Sequence, residues 1–483
     1  MEKKALGRGF PLEVSDMPQS PKWTLLGTFK WMGPAGFIAI GVGIGSGEFL
    51  LAPALVVQFS MLIAWAFWVA VILQTIQNTE MCRYTVLTGE PITIGMSRLR
   101  PGAWFWLPIN IGNCLSQVMW PGWAAAGATC LAAMQLGHIP KPGEVNVVAI
   151  WAIITFFVAY FIMISGESPV KSAIEIFFKV TTLAIVAFLI VMAVFIPSRV
   201  WSETAIGLFK IGYIPKGMDW VVFGAAAGYA GLGGGYFNSA ITNWYRDKGV
   251  GMGSKVGFIP GIIGGKKLIF SAVGKLPNST SENVKNFKGW MRLINLEMYL
   301  PYFVFGMIGM LVPSMLYAGY VTKAVKGWAA PALLAEGMSN AGISGSWYLV
   351  LIMGLLILFP TQVGVSDMFV RQIVDNLWFY PSMRKVFKED IRIPHYGLVL
   401  VLWLFGIYII ISRAMAPVMM LTIAANLALF GTVCTGLGTF FLNRHLPKEF
   451  RPHPWKQVAL LVGVIFFGFF FVMTFLAVLG FKV

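Results

Sequence analysis

Two glycine-dense stretches interrupt long apolar segments, and they constrain the fold more than any other feature of this sequence. The first runs from Gly41 to Glu48 and the second from Gly228 to Ser239. In a lipid bilayer every backbone N–H and C=O group must be hydrogen-bonded, so irregular backbone is tolerated only where it lines a protein-enclosed cavity. The alternating glycines of the first stretch do not share one helix face, which favours unwinding over close helix packing. We therefore predict two broken helices.

The composition of the 483-residue chain places these breaks in a membrane protein. Hydrophobic residues make up 57% of the chain and charged residues only 12%, which excludes an ordinary soluble domain. We predict an all-α polytopic membrane protein, because apolar stretches of about 20 residues recur along the whole chain. Eleven candidate transmembrane spans follow: 31–57, 59–86, 103–136, 145–165, 168–196, 218–245, 296–318, 345–379, 395–412, 415–443 and 456–480.

The distribution of basic residues predicts the orientation in the membrane. Most of the 36 lysines and arginines lie in the N-terminal tail or on the connections that share its side of the membrane. Basic connections stay in the cytoplasm, so we expect a cytoplasmic N-terminus and an external C-terminus in a plasma (inner) membrane. The formal charge of +16 then reflects topology and attraction to anionic lipids, not nucleic-acid binding. The oligomeric state is left open.

The two breaks fall in the first and sixth spans, five helices apart. Interrupted helices in corresponding positions of two halves are typical of carriers built from inverted repeats, which bind their substrate between the breaks. We predict two five-helix repeats on this basis. The divisions are a basic tail 1–30, a first repeat 31–196, an external loop 197–217, a second repeat 218–443 with a basic cytoplasmic loop 246–295, and a final loop and helix 444–483.

Short motifs near the first break and at the end of the second span resemble a known family. Gly33-Pro34-Ala35-Gly36-Phe37 is similar to the first-helix start of the Nramp (natural resistance-associated macrophage protein) divalent-metal transporters, and the segment from Arg83 to Gly89 is similar to their Arg-x-x-x-x-Thr-Gly pattern. The resemblance covers roughly residues 30 to 445. It implies a LeuT-type fold of eleven helices with broken helices 1 and 6, and transport by alternating access.

The sequence departs from the family where the family binds its metal. The first-helix motif Asp-Pro-Gly-Asn aligns with the segment from Gly45 to Glu48, and the sixth-helix motif aligns with the segment from Gly231 to Ser239. The Asp, Met and His ligands that suit transition metals are therefore missing. Carboxylate and carbonyl oxygens suit hard cations instead, and magnesium keeps several of its waters. We expect a hard divalent cation as the leading cargo, with Glu48 as the metal ligand. The substrate-binding residues predicted from the two breaks are Gly45, Ser46, Gly47, Glu48, Gly228, Gly231, Tyr236 and Asn238.

Two other functions remain open on this sequence. The free ends of broken helices also bind carboxylates in carriers of this fold, so an amino-acid-like or other small organic solute could bind with Glu48 holding its ammonium group. Alternatively, loss of the metal ligands could leave a membrane scaffold or sensor. A buried acid argues mildly against that, since a charge inside the membrane is costly and usually functional. No enzymatic activity and no cofactor are predicted.

Further polar residues inside the spans are candidates for coupling or for the transport pathway. Asn113 and Gln117 lie in the third span, Asp367 in the eighth and Asn426 in the tenth. Asp367 stands one turn before Arg371, so we favour an i,i+4 ion pair over a coupling role. The four histidines fall in or beside predicted loops. No histidine relay across the membrane is expected, and both coupling through a carboxylate and uncoupled passage remain open.

Overall fold

The structure, a computed structural model of the chain, describes residues 13–45, 47–164, 173–229, 233–260 and 270–481. Nearly all of them are helical. The helices that contain the first five predicted spans and their connections are α1 Leu25–Trp31, α2 Pro34–Gly43, α3 Gly47–Phe59, α4 Met61–Thr88, α5 Ile92–Met96, α6 Ala103–Val118, α7 Gly122–Leu136, α8 Pro142–Ile164, α9 Ala173–Met192 and α10 Ser198–Phe209.

The second half of the chain repeats the pattern of long helices joined by short ones. Its helices are α11 Trp220–Tyr229, α12 Gly235–Asp247, α13 Ser281–Tyr320, α14 Leu333–Asn340, α15 Ser346–Trp378, α16 Pro381–Val386, α17 Arg392–Ile411, α18 Pro417–His445 and α19 Pro454–Val478. Short 3₁₀ turns cover Ala193–Phe195, Gly251–Lys255, Ala330–Ala332 and Lys448–Phe450.

Each of the eleven predicted spans contains helix. Within the described ranges, eight helices are long and apolar enough to cross a membrane, or nine when α2 and α3 count as one bent span. The third and sixth spans are divided into shorter helices. In the third, the helix stops at Val118 and restarts at Gly122, because Pro121 has no N–H to continue the hydrogen-bond ladder. The break falls within the sequence Trp120-Pro121-Gly122-Trp123.

Helix α13 differs from its prediction. We expected the basic loop 246–295 to reach the seventh span, but α13 begins at Ser281 and runs for 40 residues. Its first turn is capped by Thr280, whose Oγ1 accepts a hydrogen bond from Asn283 N at 3.3 Å. Phe287 and Trp290 bury one face of this extension. The helical spacing of these apolar residues therefore decides the secondary structure here, although the segment is rich in basic residues.

The residues before the first span are attached to this extension. Strand β1, Glu13–Val14, pairs in parallel with β2, Lys275–Leu276. Met17 N donates to Asn283 Oδ1 at 3.0 Å, and Trp290 Nε1 donates to Pro18 O at 3.0 Å. We call residues 13–24 the N-terminal strap, and we call the side of the membrane on which it lies the N-terminal face. The strap joins the start of the first span to the start of the seventh.

Both predicted helix breaks are present. Helices α2 and α3 meet at a bend of 43°, and α3 begins with a wide π-type turn over Gly47–Leu51. At the second break, Gly233 and Gly234 precede α12 with φ angles of 113° and 66°. L-residues rarely adopt such positive φ angles, so glycine is what allows the chain to turn there. The sequence thus breaks both helices near the middle of their spans.

Candidate functional site

The two breaks lie against each other. A Cβ atom built on Gly47 would be 2.6 Å from Tyr229 Cβ and 3.2 Å from the Tyr229 carbonyl oxygen. Real Cβ atoms do not approach other atoms so closely, so only glycine permits this contact between the start of α3 and the end of α11. The contact brings the two irregular segments into one site.

Glu48 is the acidic residue at this site. It is buried, with 1% of its surface exposed, and its Oε2 accepts a hydrogen bond from Gly45 N at 3.0 Å. The ring of Tyr229 lines the same small cavity as Glu48. A carboxylate at the first turn of α3 is stabilised by the N-terminal end of the helix dipole. Glu48 therefore has a structural role in its own turn as well as a place at the break.

A small cavity adjoins Glu48. It has a volume of about 10 Å³, room for about one water molecule, and is enclosed mainly by the two breaks and by aromatic rings. Apart from Glu48 and Thr361, its walls are apolar side chains, glycines and the ring of a tyrosine. The lining residues are Val42, Gly43, Gly47, Glu48, Trp123, Tyr229, Gly233, Phe237 and Thr361.

Thr361 of α15 closes the broken end of α2. Its Oγ1 donates to Val42 O at 2.9 Å, and a Cβ on Gly45 would lie 2.5 Å from the same Oγ1. The last carbonyl groups of a helix have no partner within the helix, and within the described residues this hydroxyl supplies one. The same Oγ1 lies 3.0 Å from Ile357 O of its own helix, so the hydroxyl is shared between the two carbonyls.

Asn238 belongs to a buried cluster of amides beside the cavity. Its Nδ2 donates to Gln74 Oε1 at 2.5 Å, and its Oδ1 accepts from Tyr302 OH at 3.5 Å. Tyr302 OH in turn accepts from Asn78 Nδ2 at 2.8 Å. The cluster connects α4, α12 and α13, and none of its residues lines the cavity itself.

The other residues predicted at the second break point elsewhere. Tyr236 donates its hydroxyl proton to Asn110 Oδ1 of α6 at 2.5 Å and does not line the cavity. A Cβ on Gly228 would lie 2.5 Å from Ala425 O, so this glycine allows α11 to approach α18. Ser46 and Gly231 lie outside the described residues.

The polar candidates in the third and tenth spans form hydrogen bonds within and between helices. Gln117 Nε2 donates to Asn113 Oδ1 at 2.6 Å, and Asn113 Nδ2 donates to Leu427 O of α18 at 3.1 Å. Asn426 Nδ2 donates to Val221 O of α11 at 3.1 Å. Such amide contacts are ordinary between membrane helices. None of these three residues lines the cavity beside Glu48.

Asp367 forms the expected ion pair within a larger buried network. Its Oδ1 lies 2.7 Å from Arg371 Nη2, and Arg371 also pairs with Asp247 of α12. The network continues through Arg246 to Asp375, at 2.7 Å. It connects α12 to α15 on the N-terminal side of the cavity.

His395 lies next to a loop but is not exposed to solvent. It is fully buried, and its Nε2 lies 3.3 Å from Asp367 Oδ1. Because α17 begins at Arg392, this histidine lies in the first turn of the helix and faces α15. No local pattern indicates this contact, since the two residues are far apart along the chain.

The donor set limits what the site can bind. Within the described part of the chain, no group of three or more His, Cys, Asp or Glu residues is placed to hold a metal ion. A metal at the break would therefore depend on one carboxylate, neutral oxygens and its own water. That donor set does not suit a soft transition metal, which prefers sulfur and imidazole, but it suits a hydrated hard cation.

The chain is similar in structure to a manganese transporter of Eremococcus coleocola. A mutant of that transporter matches with a TM-score of 0.61 at 13% identity, over 98% of this chain and 90% of that chain. Its complex with an aromatic bis-isothiourea substituted compound matches with a TM-score of 0.58 at 13% identity, over 97% and 90% of the two chains. No protein-family model and no curated protein sequence matches this chain.

These similarities establish the fold. The chain has the Nramp-like, LeuT-type architecture, with five-plus-five inverted repeats and broken first and sixth helices. The resemblance expected from the short motifs is thus confirmed at the level of the fold, while 13% identity carries nothing further about the site.

Several residues of the site were missed in the sequence. Trp123 and Thr361 come to the cavity from α7 and α15, and no local pattern indicates this contact. Phe237 lies within the second predicted break but was not among the predicted binding residues. Gln74 and Asn78 were detectable, because two amides one helical turn apart in an apolar span are costly without a polar partner. Their spacing places both on one face of α4, the face that meets Asn238 and Tyr302.

Proposed function

We propose that this chain is a secondary membrane transporter that works by alternating access and carries a hard divalent cation such as magnesium. The observation that carries the proposal is the position of Glu48, a buried acid beside a cavity at the contact of two broken helices. Acids at membrane depth are costly and usually functional. In carriers with this arrangement the breaks form the substrate site.

The surroundings of Glu48 favour a hard cation over a soft one. The side chains that line the cavity provide carboxylate and hydroxyl oxygens but no sulfur and no imidazole. The neighbouring amide cluster adds neutral oxygens, among them Asn78 Oδ1, a buried atom that has no hydrogen-bond partner within the described ranges. Magnesium gives up its water reluctantly and needs only one or two protein carboxylates. The structural similarity to a manganese transporter supports a divalent metal as the class of cargo.

Flux into proteoliposomes tests this function. We expect saturable uptake of magnesium that exceeds both the uptake of manganese and the leak into protein-free vesicles. The same vesicles should show that excess magnesium competes with any manganese uptake. If none of magnesium, calcium and manganese enters faster than in protein-free vesicles, the proposed metal transport is wrong.

One observation favours a second cargo, a small organic amine or amino acid. The rings of Trp123, Tyr229 and Phe237 line the same cavity as Glu48. Aromatic faces attract an ammonium group by the cation–π interaction, worth about 2 kcal/mol where water is excluded. The aromatic rings would therefore stabilise an ammonium ion paired with Glu48, whereas they offer no ligand atoms to a hydrated metal ion.

The variant Trp123→Leu separates the two cargoes. It removes an aromatic ring from the cavity wall and leaves an apolar side chain in its place. Amine uptake should therefore fall several-fold, and magnesium uptake should stay nearly unchanged. Labelled amino acids and short alkylamines are the probes. Failure of both metals and amines to enter would favour a scaffold or sensor, the remaining alternative from the sequence.

A further inference from the structure

The start of α2 is held by a single carboxylate from another helix. Glu297 Oε1 accepts hydrogen bonds from Gly33 N at 2.7 Å, Ala35 N at 3.1 Å and Gly36 N at 2.8 Å. The first N–H groups of a helix have no partner within the helix, and its N-terminal end carries a partial positive charge. An acid at this position satisfies both requirements. Glu297 comes from α13, far along the chain.

Glu297 also connects the two broken helices. It is fully buried, and its Oε2 accepts a hydrogen bond from Tyr245 OH of α12 at 2.7 Å. Helices α2 and α12 are the halves of the first and sixth spans on the N-terminal face. One side chain therefore joins both halves to α13.

A second connection lies beside the first. Lys248, just after α12, donates from Nζ to Met32 O at 3.1 Å. The same ammonium lies 2.6 Å from Glu175 Oε1 of α9, and Lys179 lies 2.7 Å from that oxygen. Met32, two residues before α2, is thus held by a buried ion pair between α9 and the end of α12.

Two glycines of the first-helix motif make these contacts possible. A Cβ on Gly33 would lie 2.7 Å from Lys248 Nζ and 2.9 Å from Glu175 Oε1. A Cβ on Gly36 would lie 2.8 Å from Pro301 Cγ. All three distances are shorter than real Cβ contacts. Glycine at these two positions therefore allows α2 to lie close to the charged groups and to α13.

The two ends of the first span differ in how far they are open to solvent. On the N-terminal face the start of α2 is buried under these contacts. On the opposite face, the end of α3 borders an open cavity with a volume of about 470 Å³, next to Arg199 and Glu203. The structure is therefore more closed on the N-terminal face.

We propose that Glu297, with Tyr245 and the Lys248–Glu175 pair, is a latch that keeps the N-terminal face closed until α2 moves. The proposal rests on the alternating-access function proposed above. Glu297 acts through α2 and not on the cargo, so it is a positioning residue. Charge-assisted hydrogen bonds are roughly twice as strong as neutral ones, and three of them converge here on one oxygen. Replacing the charge shifts the balance towards the state open on the N-terminal face.

Accessibility of a cysteine on α2 tests the latch without transport. Ala39 is buried on α2, so Ala39→Cys in a background with Cys82, Cys114, Cys130 and Cys434 changed to Ala reports opening. A membrane-impermeant maleimide is added to the N-terminal face of oriented vesicles. We expect Glu297→Gln to raise the labelling rate on the order of tenfold, equivalent to about 1.4 kcal/mol in the closed-to-open balance.

Glu203→Gln is the matched control. Glu203 Oε1 also accepts from a backbone N–H at a helix start, that of Met61, at 2.9 Å, but near the open cavity of the opposite face. It should not raise labelling from the N-terminal face. If Glu297→Gln does not fold, Tyr245→Phe removes only one hydroxyl from the latch and should give a smaller rise in the same direction.

The outcomes separate the latch from the transport function. Unchanged labelling in the folded Glu297→Gln protein, or in Tyr245→Phe where that is the variant that folds, overturns the latch, whatever the flux. An equal rise in the Glu203→Gln control also overturns it, because the effect would then be general loosening. Increased labelling in a protein that carries neither metals nor amines supports the latch and contradicts the proposed transport.

Discussion

Thr361 donates a hydrogen bond to the carbonyl oxygen of Val42 at 2.9 Å, from the middle of α15 to the broken end of α2. Through this contact the protein itself satisfies a backbone group that the break exposes. The cavity beside Glu48 is therefore partly formed before any cargo binds.

Thr361→Val should destabilise the protein, because it removes the hydroxyl that bonds the Val42 carbonyl at the break. The loss of one buried hydrogen bond costs about 1 kcal/mol. Thermal unfolding in detergent should show a lower midpoint for Thr361→Val and a nearly normal one for Thr361→Ser, which keeps the hydroxyl. Equal midpoints for valine and serine would mean that the hydrogen bond contributes nothing measurable.

Glu48→Gln should abolish uptake while the protein still folds. The amide keeps the shape of the side chain and removes the one negative charge that lines the cavity. Initial uptake rates in proteoliposomes provide the measurement, and size-exclusion profiles report folding. Glu336→Gln is the control, because Glu336 forms a partly exposed pair with Lys323 away from the cavity. Normal uptake by Glu48→Gln would remove this acid from the mechanism.

Gly47→Ala should separate the two breaks and reduce uptake. The new methyl group would lie 2.6 Å from Tyr229 Cβ, which forces α3 and α11 apart. Overpacking of this kind costs about 1–3 kcal/mol. Gly127→Ala in α7 is the matched control, since its methyl group would meet Leu358 at an ordinary 3.5 Å. Uptake and thermal stability should fall in the first variant only.

Arg371→Met should be strongly destabilising. Arg371 is fully buried between Asp247 and Asp367, so its loss takes the arginine from Asp367 and leaves Asp247 paired with Arg246 alone. Removing one partner of a buried pair costs about 3–5 kcal/mol. By contrast, Arg392→Met breaks a partly exposed pair with Asp390 and should cost at most about 1 kcal/mol. Thermal unfolding of both variants in one detergent gives the comparison.

The pair between Glu90 and Arg98 should make stability depend on pH. Burial opposes ionisation of Glu90, but Arg98 and the hydrogen bonds to this carboxylate outweigh it and hold the pKa of Glu90 below its ordinary value of 4.5. A lowered folded-state pKa stabilises the fold above the unfolded pKa, and the stabilisation is lost as pH falls through the folded pKa.

The test compares Glu90→Gln with the unmodified chain at pH 7 and at decreasing pH below 4.5. The difference in unfolding midpoint should be largest at pH 7 and should shrink on acidification. A difference that stays constant across this range would show that the charge of Glu90 is not responsible.

The breaks could be predicted from the sequence because their cause is local. Clustered glycines inside an apolar span, followed by Glu48, predict irregular backbone beside an acid. The partners of that backbone could not be predicted, because they come from distant parts of the chain. Nothing near Glu297 indicates that it would accept hydrogen bonds from Gly33, and nothing near Thr361 points to Val42.

The same reasoning explains one wrong expectation. The start of α13 is expected in a loop because the segment is basic, but Phe287 and Trp290 give it a buried face. There a contact across the fold outweighs local composition. For His395, the position beside a loop follows from the sequence, but its contact with Asp367 of α15 does not, because the two residues are far apart along the chain.

The parallel pairing of Glu13–Val14 with Lys275–Leu276 has a mechanical consequence. The strap leads into the first span, so a movement of that span would also displace this partly solvent-exposed pair of strands. Conformational changes during transport would then change the shape of the water-exposed surface, and the emission of a fluorescent probe attached near residue 13 would follow them.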